Sequence, residues 1–168
     1  MGRFLTAARL NSIRAAVLGA NDGLVSVAAV TVGVAGATTS AHTILLAALA
    51  ALVGGAISMG LGEYVSVASQ RDGEIASGVH DVHDLVNPWS ATVASSGSFT
   101  LGALVPLLAV LLTHSVLFIV LSVSIALAVA GGTAAHLSGS PIRRATIRTL
   151  TGGLCALAAT YVIGLLLR

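Results

Sequence analysis

Five long apolar segments restrict what this chain can fold into. Each has at least about 20 residues, the length that an α-helix needs to cross the hydrocarbon core of a bilayer. They lie at residues 15–37, 42–67, 89–112, 115–137 and 145–167. Because lipid offers no hydrogen bonds to free backbone groups, such segments cross a membrane as helices. We therefore predict an all-α integral membrane protein with five transmembrane helices, with residues 1–168 in a single domain.

The composition excludes several other classes of protein. Hydrophobic residues make up 56% of the chain and charged residues only 8%, so a globule in water could not cover itself with polar surface. The formal net charge of +2 is small and scattered, which argues against a nucleic-acid partner. The sequence contains no nucleophile–base arrangement and no glycine-rich phosphate loop. We therefore expect neither enzymatic activity nor a bound cofactor.

The distribution of basic residues predicts the orientation in the membrane. All basic residues are arginines, and five crossings place seven of the eight on one side. By the positive-inside rule that side, with the N-terminus, faces the cytosol. An alanine- and arginine-rich chain without lysine suggests a GC-rich bacterial genome, and hence the bacterial cell (plasma) membrane. The seven arginines are Arg3, Arg9, Arg14, Arg71, Arg143, Arg144 and Arg148.

Two acidic residues, Asp22 and Glu63, lie inside predicted membrane helices. A charge at the bilayer centre costs from about 3 to more than 10 kcal/mol, so these side chains should face protein or water. Asp22 comes eight residues after Arg14, and Glu63 eight residues before Arg71. At about 1.5 Å per residue, each acid lies roughly 12 Å from its arginine. Antiparallel pairing of the first two helices then predicts both carboxylates at the same depth, as one site.

The second helix adds a sulfur ligand to this prediction. Met59 and Glu63 are four residues apart and share a helix face. Two carboxylates, the Asn21 carbonyl and a thioether suit a borderline divalent ion such as Fe²⁺ or Mn²⁺. Carboxylates withdrawn from water also favour protons, so proton and metal can compete, which is a basis for antiport. The alternatives are that Met59 only packs, and that Glu63 pairs with Arg71.

Small residues recur on the same two helices and allow neighbouring backbones to approach closely. In the third helix, Pro106 should cause a kink and free a backbone carbonyl, which shapes either the path or only the packing. The small-residue positions are Gly19, Gly23 and Ser26 in the first helix and Gly54, Ser58 and Gly62 in the second.

A polar loop, residues 69–88, separates the second and third predicted helices on the cytosolic side. In a helical conformation His80, His83 and Asp84 would share one face, a spacing compatible with metal binding. Glu74 and Asp81 could raise the local cation concentration at the entrance. The alternative is a solvated acidic loop that happens to carry two histidines.

Four stretches of the sequence resemble the vacuolar iron transporter family: GANDGLVSVAAVTVGVAGA, GGAISMGLGEYVSVASQRD, NPWSATVASSGSFTLGALVPLL and IRTLTGGLCALAATYVIG. The resemblance implies a homodimer that exports cytosolic Fe²⁺ or Mn²⁺ in exchange for protons. It places Asp22 and Met59 on the metal path, with Glu63 at a position that is acidic in many bacterial-type members. We expect five residues to line the path around them: Asn21, Ser26, Ser58, Gly62 and Pro106.

The chain departs from that family between the second and third helices. Typical iron-transporting members carry a long cytosolic helical domain there, rich in Glu and Met, that gathers metal. Here about twenty polar residues take its place, as in the short nodulin-21-like members. The departure affects metal capture and regulation, whereas the predicted membrane path is complete.

Two other kinds of function fit the same pattern of residues. The chain could be a small membrane scaffold whose polar side chains only fix helix packing, or a passive cation channel without coupled transport. Replacing Asp22 by Asn distinguishes the scaffold from the exporter, because the exporter should keep assembling but lose metal flux. Whether a pH gradient drives metal uphill distinguishes the exporter from the channel.

Overall fold

The computed structural model describes residues 7–78, 85–113 and 115–168, with side chains from Leu10 onward. These residues form five α-helices and no strand, and all five helices are long and apolar enough to cross a membrane. The all-α prediction is therefore confirmed. The helices are α1 (Ala7–Ala37), α2 (Ala41–Ala76), α3 (Pro88–Leu112), α4 (Val116–Ser138) and α5 (Ile142–Leu166).

Two helices are longer than the apolar segments predicted. α1 begins eight residues earlier, at Ala7, and α2 continues to Ala76 rather than ending at Val67. The predicted loop 69–88 is therefore wrong at its start, because residues 69–76 are helical. In this polar extension the Gln70 amide donates a 2.9 Å hydrogen bond to Glu74, one turn later. Outside lipid a helix can continue in polar residues, so the end of the apolar segment does not mark the end of the helix.

α3 begins at Pro88, one residue before the start of the predicted segment at residue 89. The Asn87 side chain accepts a hydrogen bond from the backbone N–H of Ser90 at 3.1 Å, and Pro88 occupies the first turn. Trp89 is exposed and lies against Tyr64 of α2, with ring centroids 4.9 Å apart. This pair ties the start of α3 to α2 at the level expected for an interfacial aromatic side chain.

α1 is the central helix and packs against each of the other four. Its closest contact is with α3, which runs parallel to it: Gly19 faces the backbone carbonyl of Ser95, and Gly23 that of Phe99. On α3, Gly102 faces the carbonyl of Ala20 in the same way. None of these three positions has room for a Cβ atom. The small residues of α1 thus act as predicted, by allowing close backbone approach.

The corresponding residues of α2 have no packing partner within the described part of the chain. A Cβ atom added at Gly54 or at Gly62 meets no atom within 4 Å. A shallow groove runs along this surface, which we call the open α2 face. It is formed by Gly54, Ile57, Ser58, Leu61, Gly62, Val65 and Ser66.

Helix direction places the described arginines other than Arg168 at one end of the bundle. Arg14 lies near the start of α1, Arg71 near the end of α2, and Arg143, Arg144 and Arg148 in the first turns of α5. Because α1 and α5 run parallel and α2 antiparallel, these positions share one end, which we call the basic end.

Candidate metal path

Asp22 lies at the midpoint of α1, on the wall of a cavity of about 980 Å³ between α1, α4 and α5. The hydroxyl of Ser26 donates a 2.8 Å hydrogen bond to Asp22 Oδ1. Within the described residues, no basic group lies within ion-pair distance of this carboxylate, since Arg14–Glu63 is the ion pair found there. A partly exposed carboxylate at this depth is thus supported by a neutral hydroxyl and borders a space that can hold water.

Asn21 borders the same cavity, beside Asp22. Its Oδ1 atom is buried and accepts no hydrogen bond from the described residues. A buried amide oxygen without a donor is costly, and such an oxygen is also a ligand for a divalent cation. Asn21 and Asp22 therefore supply two oxygen types at one level of α1.

Glu63 is buried, with 6% of its side chain exposed, and forms an ion pair of 2.5 Å with Arg14 of α1. The partner is thus not Arg71, the pairing considered from the sequence. Arg14 Nη2 also donates to Asn11 Oδ1 at 3.1 Å, and Arg14 Nε donates to the same oxygen at 3.2 Å. Asn11 and Arg14 were missed as site residues, although their spacing of three places them on one helix face.

The two acids do not lie at the same depth, so the prediction of a single shared site is wrong. Phe99 contacts both Gly23 and Gly55, and Arg14 contacts Glu63. Both contacts give the same antiparallel register, in which Asp22 lies opposite α2 near position 56. Glu63 is about seven residues, or roughly 10 Å, nearer the basic end. The depth estimate assumed that Arg14 and Arg71 lie at the same level. That assumption is wrong because α2 continues as a helix through Arg71.

Met59 lies between the levels of Glu63 and Asp22, one turn from Glu63 along α2. It is partly buried and packs against an apolar cluster that includes Val27 and Phe99. Met59 therefore takes part in packing, and it also lies between the levels of the two acids. The three predicted path residues are spread along the bundle axis rather than gathered around one point.

The secondary path residues have separate locations. Ser26 supports Asp22, as described above, whereas Ser58 and Gly62 lie on the open α2 face. Pro106 is buried inside α3, which is helical on both sides of it, and it does not border the cavity. Within one chain, Ser58, Gly62 and Pro106 are not brought to Asp22.

Glu74 is tied to the end of the loop by two hydrogen bonds. One oxygen accepts from Gln70, and the other accepts from the backbone N–H of Val86 at 3.1 Å. The remaining candidates for metal capture, His80, Asp81, His83 and Asp84, lie outside the described residues. Among the residues that are described, no three His, Cys, Asp or Glu side chains converge as a metal site.

Comparison with known proteins identifies relatives over most of the chain. It is 42% identical to Vacuolar iron transporter homolog 1 of Oryza sativa subsp. japonica, over 92% of this chain and 73% of that protein. It is 40% identical to Vacuolar iron transporter homolog 4 of Arabidopsis thaliana, over 91% of this chain and 82% of that protein. The chain is 39% identical to VIT-like transporter 1b of Glycine max, over 91% of this chain and 75% of that protein.

The chain also matches the VIT family over residues 13–80 and 74–165. The two matched stretches meet in the connection between α2 and α3, where the sequence lacks a long inserted domain. Together they include α1 from Ile13 onward, α2, α3, α4 and α5 up to residue 165, and so also Asp22, Met59 and Glu63. The chain therefore belongs to the VIT family.

Proposed function

We propose that this chain exports a divalent transition-metal ion, Fe²⁺ or Mn²⁺, from the cytosol in exchange for protons. The observation that carries the proposal is Asp22, a carboxylate midway along a 31-residue helix that borders a cavity and has a hydroxyl as its partner. The names of the plant relatives, vacuolar iron transporter homologs, support a metal cargo.

The ligands on the path suit a transported ion better than a permanently bound one. Glu63, Met59 and Asp22 lie at successive levels, and Asn21 adds a free oxygen beside Asp22. Conduction needs sites that bind an ion well enough to admit it and weakly enough to release it. Mixed oxygen and thioether ligands of this kind fit Fe²⁺ or Mn²⁺ better than Mg²⁺ or Ca²⁺.

Proton exchange follows from the chemistry of Asp22. A carboxylate must lose its proton to ligate a metal, so metal binding and proton release are linked at the same oxygens. A proton that arrives from the opposite side can in turn displace the ion. The Ser26 hydroxyl donates a hydrogen bond to Asp22 Oδ1 and so orients the carboxylate beside the cavity.

The basic end supports an orientation with the N-terminus and cavity mouth in the cytosol. The cavity wall includes Leu10 and Arg14 of α1 and Ser140 and Arg148 near the start of α5, all at that end. Metal would then load from the cytosol, which agrees with export. The lysine-free composition supports a bacterial cell membrane, whereas the names of the plant relatives refer to the vacuole.

A homodimer that forms through the open α2 face completes the proposal. α2 is among the least buried spans, and its Gly54, Ser58 and Gly62 lie in a groove that can receive a neighbouring helix. A second copy would also bring Ser58 and Gly62 into the interior of the assembly, where the sequence predicted path-lining residues.

The experiment is metal uptake by vesicles that contain the purified full chain, with Fe²⁺ under reducing conditions or Mn²⁺, with and without a pH gradient. The proposal predicts accumulation above the external concentration only when the gradient is present. Accumulation that only equalises the concentrations would indicate a passive channel. An absence of flux in assembled protein would favour the scaffold and refute transport.

A further inference from the structure

Arg14 Nη2 occupies a point on which two oxygen ligands converge. Glu63 Oε1 lies 2.5 Å from this nitrogen and Asn11 Oδ1 lies 3.1 Å from it. A carboxylate oxygen and an amide oxygen that face one point are typical ligands of a divalent cation. In this structure the guanidinium of Arg14 is the cation at that point.

The two partners of this ion pair differ sharply in burial. Glu63 has 6% of its side chain exposed, whereas Arg14 has 53% exposed. A buried carboxylate needs a partner, because an unpaired charge in the interior is strongly destabilising. Arg14 borders the large cavity, so its guanidinium can leave Glu63 for water without disturbing the packing of α1 and α2. The Glu63 carboxylate is thus held in place by burial, whereas the Arg14 guanidinium can be replaced by another cation.

The position of Glu63 along the bundle axis relates this site to metal transport. Glu63 is nearer the basic end than Asp22, and Met59 lies between them. Glu63 and Asn11 do not border the large cavity, whereas Arg14 does. An ion that enters between α1 and α2 at the basic end meets Glu63 and Asn11 before Met59. A guanidinium and a metal ion repel each other and cannot share the two oxygens, so the ion must displace Arg14.

We propose that Glu63 and Asn11 form the first divalent-metal site of the path, and that Arg14 is its built-in competitor, which holds Glu63 until metal displaces it. This inference rests on the proposed function, and it adds Asn11 as a ligand and Arg14 as a positioning residue. Return of the guanidinium to Glu63 expels the ion toward Met59 and Asp22. A monovalent cation carries too little charge to compete with Arg14 at the buried carboxylate.

The first test measures equilibrium Mn²⁺ binding to the purified full chain and to its variants. Arg14→Gln should bind Mn²⁺ at least fivefold more tightly, while Asn11→Ala and Glu63→Gln should bind it at least fivefold more weakly. Arg143→Gln removes an exposed arginine at the same end and is the matched control, with an expected change below twofold. Unchanged or weaker binding by a folded Arg14→Gln variant overturns the proposal.

The second test uses the unmodified chain and so does not depend on how the variants fold. Phenylglyoxal labels accessible arginines, and peptide mass analysis reports the labelling rate at each position. Mn²⁺ should accelerate labelling of Arg14 at least threefold and leave Arg143 unchanged. If Mn²⁺ binds but leaves Arg14 labelling unchanged, the proposal is wrong. Flux in vesicles tests the proposed function separately. If Mn²⁺ accelerates the labelling of Arg14 but the unmodified chain carries no metal flux, the proposed site stands and only the proposed transport is refuted.

Discussion

Ser26 and Asp22 lie one turn apart on α1, and the hydroxyl of Ser26 donates a 2.8 Å hydrogen bond to Asp22 Oδ1. Most hydroxyls in membrane helices can instead donate to a carbonyl of their own helix, as Thr31 does to Val27. The Ser26 hydroxyl is thus directed to the one acid at the midpoint of α1. The hydrogen bond thereby orients Oδ1 of the Asp22 carboxylate.

Replacing Ser26 by Ala should slow metal transport without changing assembly. A hydrogen bond of this type in a membrane protein contributes about 0.6 kcal/mol, which corresponds to roughly a threefold change in rate. The measurement is initial uptake in vesicles matched for protein content. Ser124→Ala is the control, because its hydroxyl donates to the Val120 carbonyl of its own helix at 2.6 Å. Equal rates for both variants would show that Ser26 does not act through Asp22.

Replacing Gly23 by Ala should destabilise the bundle. The added methyl group would collide with the backbone carbonyl of Phe99, which cannot move without separating α1 from α3. Overpacking of this kind costs about 1–3 kcal/mol. Thermal unfolding in detergent should show a clear decrease in Tm. Gly97→Ala is the control on α3, because no atom lies within 4 Å of its added Cβ. A Gly23→Ala variant as stable as this control contradicts the packing described here.

Replacing Gly62 by Leu should separate the proposed homodimer into folded monomers. Within the described part of one chain, a Cβ added at Gly62 meets no atom within 4 Å and the position faces an open groove, so we expect the monomer to stay folded. On the open α2 face it would fill the groove that the partner helix needs. Particle mass in detergent should fall by half. Gly73→Leu, also on α2 and also unhindered, should leave the mass unchanged. A dimeric Gly62→Leu variant would exclude this face as the interface.

Replacing Glu74 by Gln should leave metal uptake within twofold of the original. Both carboxylate oxygens are already used, one by Gln70 and one by the backbone N–H of Val86. Gln retains an oxygen that can accept the bond from Val86, whereas Ala loses it at a cost of about 1 kcal/mol. We therefore expect Glu74→Ala to lower Tm and Glu74→Gln to change little. A large loss of metal affinity in Glu74→Gln would instead support a role in metal capture.

The helices could be predicted from sequence because each depends on local properties. Apolar length determines that a segment crosses a membrane, and the Asn87–Pro88 pair determines where α3 begins. The ends of α1 and α2 could not be predicted this way, because beyond the lipid a helix can continue in polar residues such as Gln70 and Glu74.

The register between helices depends on packing that one sequence does not reveal. The stripe of Gly19 and Gly23 predicted a close neighbour but not which helix that is, and the neighbour is α3 rather than the adjacent α2. The partner of Glu63 depends on the same register, so Arg14 could not be chosen over Arg71. The expectation that Asp22 faces protein or water needed no register, since a charge in mid-membrane avoids lipid, and Asp22 borders the large cavity.

The most direct test of the account compares Asp22→Asn with Asp72→Asn in vesicles under a pH gradient. Asp72 is an exposed acid on the polar extension of α2, so its variant controls for the loss of one carboxylate. We predict that Asp22→Asn assembles normally but loses at least 90% of Fe²⁺ or Mn²⁺ uptake, on the order of a tenfold loss that corresponds to about 1.4 kcal/mol. Asp72→Asn should retain its uptake. Undiminished, gradient-driven uptake by the Asp22→Asn variant would contradict the central claim.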